Sequence, residues 1–182
     1  MLIEPLPLNG AHLVTLEPRG DERGFFARFF CQREFSEAGL SSSFVQVNNS
    51  WSREKGTLRG LHYQLGPSQE TKLVRCISGR VWDVIVDLRP GSETFRSWHA
   101  EELSAANRAM MYVPKGFAHG FITLEEGCEL IYLVDEFYAP EQERGLRWDD
   151  PWHGIEWPLS PTVLSARDQS HPDFSRQWHL GE

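Results

Sequence analysis

Arg59-Gly60-Leu61-His62-Tyr63-Gln64, followed by Lys72, places a titratable imidazole near two fixed cations on segments that read as strand. These groups suit removal of a proton from carbon beside a carbonyl. An unperturbed imidazole titrates near pH ~6.5, where a general base is most useful. The enolate oxygen left behind needs a positive group aimed at it, and Lys72 or Arg59 can supply one. A strand histidine alone does not establish such chemistry, so the elements that would hold these residues have to be read with them.

The chain has 182 residues, a length that suits one domain with a sizeable core. Aromatic residues make up 12% of it, including seven Trp and eleven Phe, which excludes a disordered composition. A net charge of −8 argues against general affinity for nucleic acid, which needs a basic stripe. It leaves room for local phosphate binding by a few convergent Arg and Lys. Cys31, Cys76 and Cys128 are scattered, odd in number and free of metal spacing, as expected for reduced intracellular thiols. Met1-Leu2-Ile3-Glu4-Pro5 resembles neither a signal nor a transit segment, and no apolar run reaches membrane-span length. The expectation is a cytoplasmic protein with no membrane partner.

The apolar period along the chain is mostly two. Phe44 to Asn49 alternates, Lys72 to Ser78 reads as a strand, Ser78-Gly79 as a turn and Val81 to Leu88 as the returning strand. Trp82, Val84, Val86 and Leu88 share one face of that return, and Asp83, Ile85 and Asp87 the other. Phe117 to Leu124 and Glu129 to Phe137 read as a second pair around Glu126-Gly127, with Tyr132, Val134, Glu136 and Tyr138 on one face. Helical signals are short: Gln32 to Ala38, closed by Gly39, and one turn at Ala105-Ala106-Asn107. The tail from Pro151, rich in Pro, Trp and His, is expected to wrap the body without regular structure. Many short strands between turns predict an all-β sandwich or barrel.

Pro114-Lys115-Gly116-Phe117-Ala118-His119 has the P-x-G-x-x-H spacing of the second cupin motif. The first motif of metal-binding cupins needs H-x-H, and the corresponding place here reads His62-Tyr63-Gln64. Period two puts His62 and Gln64 on one face, so the second ligand is missing and no metal is expected. A barrel of this kind is free to use His62 for proton transfer.

The chain also resembles a specific family, the dTDP-4-dehydrorhamnose 3,5-epimerase type of nucleotide-sugar epimerase. The resemblance is carried by Asp21-Glu22-Arg23-Gly24-Phe25-Phe26, Gln46-x-Asn48-x-Ser50, Leu58 through Gln64, Lys72-Leu73-Val74-Arg75, Asp83-Val84-x-Val86-Asp87-Leu88-Arg89, Pro114 through Phe121 and Trp148-Asp149-Asp150-Pro151. It runs from about residue 2 to about residue 170. It implies a double-stranded β-helix (jelly roll), one domain over 1–182, and a homodimer exchanging an N-terminal arm of about residues 1–50. The C-terminal tail, about residues 151–182, would wrap the barrel. No cofactor is implied, and the substrate would be a nucleoside-diphosphate 4-keto-6-deoxyhexose.

The resemblance also implies roles. His62 would be the base and Asp168 the carboxylate that holds its tautomer. Lys72 would stabilise the enolate, and Tyr132 would return a proton to the opposite face. Arg23 and Arg59 would clamp the diphosphate, a task suited to guanidinium groups. Tyr138 would stack on the base, and Gln46, Asn48, His119, Glu143 and Arg167 would make further substrate contacts.

Two positions depart from the pattern. Arg28 stands where the rhamnose enzymes usually carry Glu near the nucleotide, and Leu133 where they usually carry Lys. A carboxylate can accept the N3–H of thymine, whereas a guanidinium serves the acceptors of cytosine. The expectation drawn from Arg28 is a different base, with a CDP-sugar as first alternative. Three readings follow: an epimerase acting at C3, C5 or both; a 3,4-ketoisomerase on the same barrel; and a nucleotide-sugar-binding cupin without turnover. Retention of Tyr132 as proton donor favours the first.

Overall fold

A strand whose side chains alternate buries one face only, so two such sheets must meet to close a core. A computed structural model of residues 1–182 shows how they meet. In chain order the strands are β1 (Leu2–Pro5), β2 (His12–Thr15), β3 (Arg19–Asp21), β4 (Gly24–Phe26), β5 (Gln46–Ser52), β6 (Leu58–Gln64), β7 (Lys72–Ser78), β8 (Arg80–Asp87), β9 (Trp98–Ser104), β10 (Met110–Val113), β11 (Phe117–Thr123), β12 (Cys128–Val134) and β13 (Glu143–Gly145). Three short helices accompany them: α1 (Gln32–Glu37), α2 (Ala166–Gln169) and α3 (Arg176–Leu180). One sheet has the order β1-β2-β10-β7-β12-β5 and the other β13-β6-β11-β8-β9, while β3 and β4 form a separate hairpin. The inner faces share a cluster that joins Val74, Met111 and Leu130 of the first sheet to Ile85, Phe117 and Phe121 of the second. This is the jelly roll implied by the resemblance, and one form of the all-β sandwich expected from the strand pattern. No helix is long and apolar enough to cross a membrane.

Strand pairing corrects the two expected hairpins. The Ser78-Gly79 turn does join β7 to β8, yet β7 bonds to β10 and β12, and β8 to β9 and β11. Likewise β11 and β12, adjacent in sequence, lie in opposite sheets. Each turn is a crossing between layers. Gly79 (φ 73°) makes one crossing possible: a Cβ there would come within 2.7 Å of Cys128 Sγ.

β12 also ends earlier than the alternation suggested. Asp135 takes the Thr71 amide (2.6 Å) and the Ser41 hydroxyl (2.8 Å) into its carboxylate, which turns the chain after Val134. Glu136 and Tyr138 therefore lie beyond the strand. The tail is more regular than expected: Ser165 and Ser175 accept the amides of Asp168 (3.0 Å) and Trp178 (3.3 Å) and start α2 and α3. Trp152 stacks on Phe174 at 3.6 Å, and with Trp157 and Leu180 they cover the outer face of the second sheet. Phe35 of α1, with Phe30 and Phe44, covers the first.

One irregularity positions the site. Opposite β11, His62 pairs with His119 but Arg59 pairs with Phe121, so β6 carries one extra residue between them. That bulge brings Arg59 round to the face of His62, although three-residue spacing on a regular strand would put them on opposite faces. Gly60, at φ 118°, makes the bulge: a Cβ there would lie 2.6 Å from Gly120 Cα and 2.8 Å from the His119 carbonyl. Gly91 has a similar φ of 83° but open space around it. Forcing an L-residue into such a conformation costs about 1–3 kcal/mol. We expect Gly60→Ala to lower the urea midpoint clearly more than Gly91→Ala, because only the former adds a backbone clash. Equal midpoint shifts would show that the β6–β11 contact relaxes freely.

Candidate functional site

Two cavities open between the sheets, of about 500 Å³ and about 370 Å³, and both are lined by His62, Lys72 and Tyr132. These three residues stand at the junction. His62 comes from β6 in one sheet, while Lys72 and Tyr132 come from β7 and β12 in the other. A group held at the junction thus has an imidazole on one wall and a phenol and an ammonium on the opposite wall.

Asp168 lies against His62. Its Oδ1 is 2.7 Å from His62 Nε2, and the carboxylate is 5% exposed. Its Oδ2 accepts the Gly60 amide at 3.4 Å, so the bulge serves the carboxylate as well as Arg59. Burial works against ionisation of Asp168, but the flanking imidazoles of His171 and His62 outweigh it and hold the carboxyl well below its usual range. With Nε2–H donated to this carboxylate, Nδ1 of His62 is left without a protein partner and free to accept a proton.

Lys72 is buried, with its ammonium 3.1 Å from Glu70 and donating to the His62 carbonyl at 3.3 Å. An ammonium has three hydrogens, so one remains for a ligand. The Tyr132 hydroxyl forms no hydrogen bond within the protein, while burial and the charges of Glu70 and Glu143 push its ionisation upward. It stays a proton donor at neutral pH.

The remaining residues divide. Arg59, His119 and Arg167 line the larger cavity, and Gln46, Asn48, Tyr138 and Glu143 the smaller. Arg59 is held by the Ser52 hydroxyl and the Trp51 carbonyl, each at 3.0 Å. His119 Nε2 lies 2.9 Å from the buried Asp83 carboxylate. Glu143 accepts the Tyr138 hydroxyl at 2.5 Å and Arg167 at 2.7 Å; burial raises its carboxyl, and these two bonds overcome that. Gln46 accepts the Tyr138 amide at 2.9 Å, which keeps Tyr138 at the cavity although it lies beyond β12. Gln64, where metal-binding cupins carry a second histidine, uses its amide on the backbone of Ser68 (2.9 Å) and Ala139 (2.6 Å).

Arg23 and Arg28 are not brought to either cavity within one chain. Arg23 extends from the β3–β4 hairpin into solvent and pairs with Asp21. Arg28 pairs with Glu34 of α1 at 3.1 Å. That pair accounts for Arg28 within one chain, where it faces solvent rather than either cavity. Sequence reasoning missed Glu70 and His171. Glu70 precedes the first residue of β7, where strand alternation carries no information. His171 follows α2, a helix announced only by the Ser165-x-x-Asp168 cap.

A sequence profile of the dTDP-4-dehydrorhamnose 3,5-epimerase family matches residues 5–176. The chain is 48% identical over 165 residues to the dTDP-4-dehydrorhamnose 3,5-epimerase of Shigella flexneri, covering 89% of this chain and 91% of that one. It superposes on the crystal structure of dTDP-4-dehydrorhamnose 3,5-epimerase from Elizabethkingia anophelis NUHP1 with a TM-score of 0.92, at 43% identity over 96% of each chain. The corresponding structure from Bacillus anthracis str. Ames, with TDP and PPi bound, gives a TM-score of 0.92 at 40% identity over 95% of this chain and 99% of that one.

The Asp168 carboxyl yields a prediction for stability. Its pKa is lower folded than unfolded, so its contribution is present above the unfolded value of about 4 and is lost as pH falls through the folded value. Urea midpoints of wild type and Asp168→Asn are expected to differ most near pH 7 and to converge as pH drops below about 4. A difference independent of pH would mean that the folded and unfolded carboxyls titrate alike.

Proposed function

Because the chain belongs to the dTDP-4-dehydrorhamnose 3,5-epimerase family, we propose that it inverts C3 and C5 of dTDP-4-dehydro-6-deoxyglucose through an enolate. The observation that carries this reading is the placement of His62 and Tyr132 on opposing sheets around one junction. Inverting a carbon needs a proton taken from one face and another delivered to the other. Nδ1 of His62 takes the proton next to the 4-keto group. Electrons move onto the keto oxygen, and the Lys72 ammonium stabilises the resulting enolate. Tyr132 then protonates the carbon from the far side, the enolate returns to the ketone, and solvent exchange restores both groups. No electron leaves the sugar, and no step requires a cofactor.

Arg59 meets the diphosphate, Tyr138 stacks on the base, and Gln46, Asn48, His119, Glu143 and Arg167 border the rest of the ligand. Arg23 joins the clamp in a homodimer in which one chain's N-terminal segment reaches its partner's cavity. The hairpin Arg19–Phe26 suits that exchange, since Phe25 and Phe26 are exposed while β1 and β2 are paired into their own chain's sheet. The enzyme acts in the cytoplasm, where its three free cysteines stay reduced.

Proton NMR in deuterium oxide with dTDP-4-keto-6-deoxyglucose tests the reaction. Solvent deuterium is expected at both C3 and C5; exchange at one carbon would reduce the assignment to a single-centre epimerase, and none would remove it. His62→Ala should slow exchange by about 10²–10⁴-fold. Tyr132→Phe should retain more wash-in than epimerised product, because only the far-side donor is lost. Repeating the assay with the CDP-sugar decides the base, and faster turnover of that sugar would sink thymidine specificity.

A further inference from the structure

His171 has no part in the reaction above, yet it is one of the most constrained polar side chains near the site. Its side chain is 9% exposed, and its Nε2 is buried without a hydrogen-bond partner. That nitrogen lies 3.7 Å from Asp168 Oδ1, and the ring meets the His62 ring edge-on at 6.0 Å. The space for it exists because the residue opposite His62 on β13 is Gly145; a Cβ there would overlap the imidazole. Donor atoms from His62, Asp168 and His171 consequently lie within 4.8 Å of one another. The other oxygen of Asp168 is held by the Gly60 amide, which leaves Oδ1 facing both imidazoles.

We propose that His62, Asp168 and His171 form a divalent transition-metal site, with zinc the best-fitting ion, whose occupation inhibits the enzyme. Two imidazoles and a carboxylate are a donor set that zinc accepts, with a fourth position left open, here toward the cavity. Bonds of about 2.0–2.2 Å in a tetrahedral site put donor atoms about 3.3–3.6 Å apart. Of the separations, 3.7 Å is close to that range and 2.7 Å must open by about 0.6–0.9 Å, so seating the ion requires the His62 ring and the Asp168 carboxylate to move apart. The inhibitory consequence rests on the reading of His62 as base. Zinc takes the Nε2 lone pair of the other neutral tautomer, so the ring's single proton, now donated from Nε2 to Asp168, is carried on Nδ1 instead. The nitrogen that faces the substrate then has no lone pair to take a proton.

The test uses chelator-treated full-length protein and zinc chloride. Calorimetry is expected to show one zinc per chain, and saturating zinc should cut deuterium exchange into substrate by about tenfold or more, reversibly on adding EDTA. His171→Gln and His171→Phe, two replacements of different shape, should each weaken zinc binding by about tenfold or more. Absence of stoichiometric binding to the wild type, or equal affinity in a folded His171 variant, overturns the site. Binding is read without turnover, so it does not depend on the assignment of His62. Stoichiometric binding with undiminished exchange overturns the inhibitory role, and the His62→Ala exchange assay then shows whether the base assignment fails with it.

Discussion

Gly60 packs its backbone against Gly120 with no side chain between them, and this contact sets how β6 crosses the cavity. The extra residue it admits turns Arg59 onto the face of His62. The same amide reaches back to Asp168, which fixes the carboxylate that orients His62. A single close approach between two strands thus positions a cation, a base and the base's partner. A larger residue at position 60 would separate the strands and disturb all three.

Buried charge around the junction comes in pairs. Lys72 has Glu70, His119 has Asp83, Arg167 has Glu143 and His62 has Asp168. For the buried pairs, Lys72 with Glu70 and His119 with Asp83, an unpaired ion would cost several kcal/mol, on the order of 3–5 when one partner is removed. Pairing fixes each group in direction without filling its full hydrogen-bonding capacity. Lys72 keeps a hydrogen and His62 keeps a lone pair for a ligand. Tyr132 stands apart, as a neutral phenol whose proton the surrounding carboxylates help retain. Base and acid differ in their surroundings as well as in their side of the cavity, and an inversion needs that asymmetry.

The sequence made several parts legible. Alternation marked β7, β8, β11 and β12 and the all-β class, and Gln32 to Ala38 anticipated α1. The ordered motifs from Asp21 to Pro151 carried the family, and with it the residues that meet at the junction. These features are local: a two-residue period or a P-x-G-x-x-H turn is written within a few adjacent positions. The Ser165 cap was equally local, but it was obscured by the composition of the tail.

Partner choice was settled only in three dimensions. The turn at Ser78-Gly79 looks the same whether its strands pair or part, and here they part into separate sheets. Arg59 shares a wall with His62 only through a bulge that depends on a strand some sixty residues away. Arg28 meets Glu34 of the following helix, a contact that the sequence around it does not announce. His171 acquires meaning only beside Gly145 and Asp168. The residue types and their local order determined the chemistry available to this protein. Which of those groups face one another was decided by contacts between segments distant in the chain, because hydrogen-bond ladders and close packing act across strands and leave no period along them.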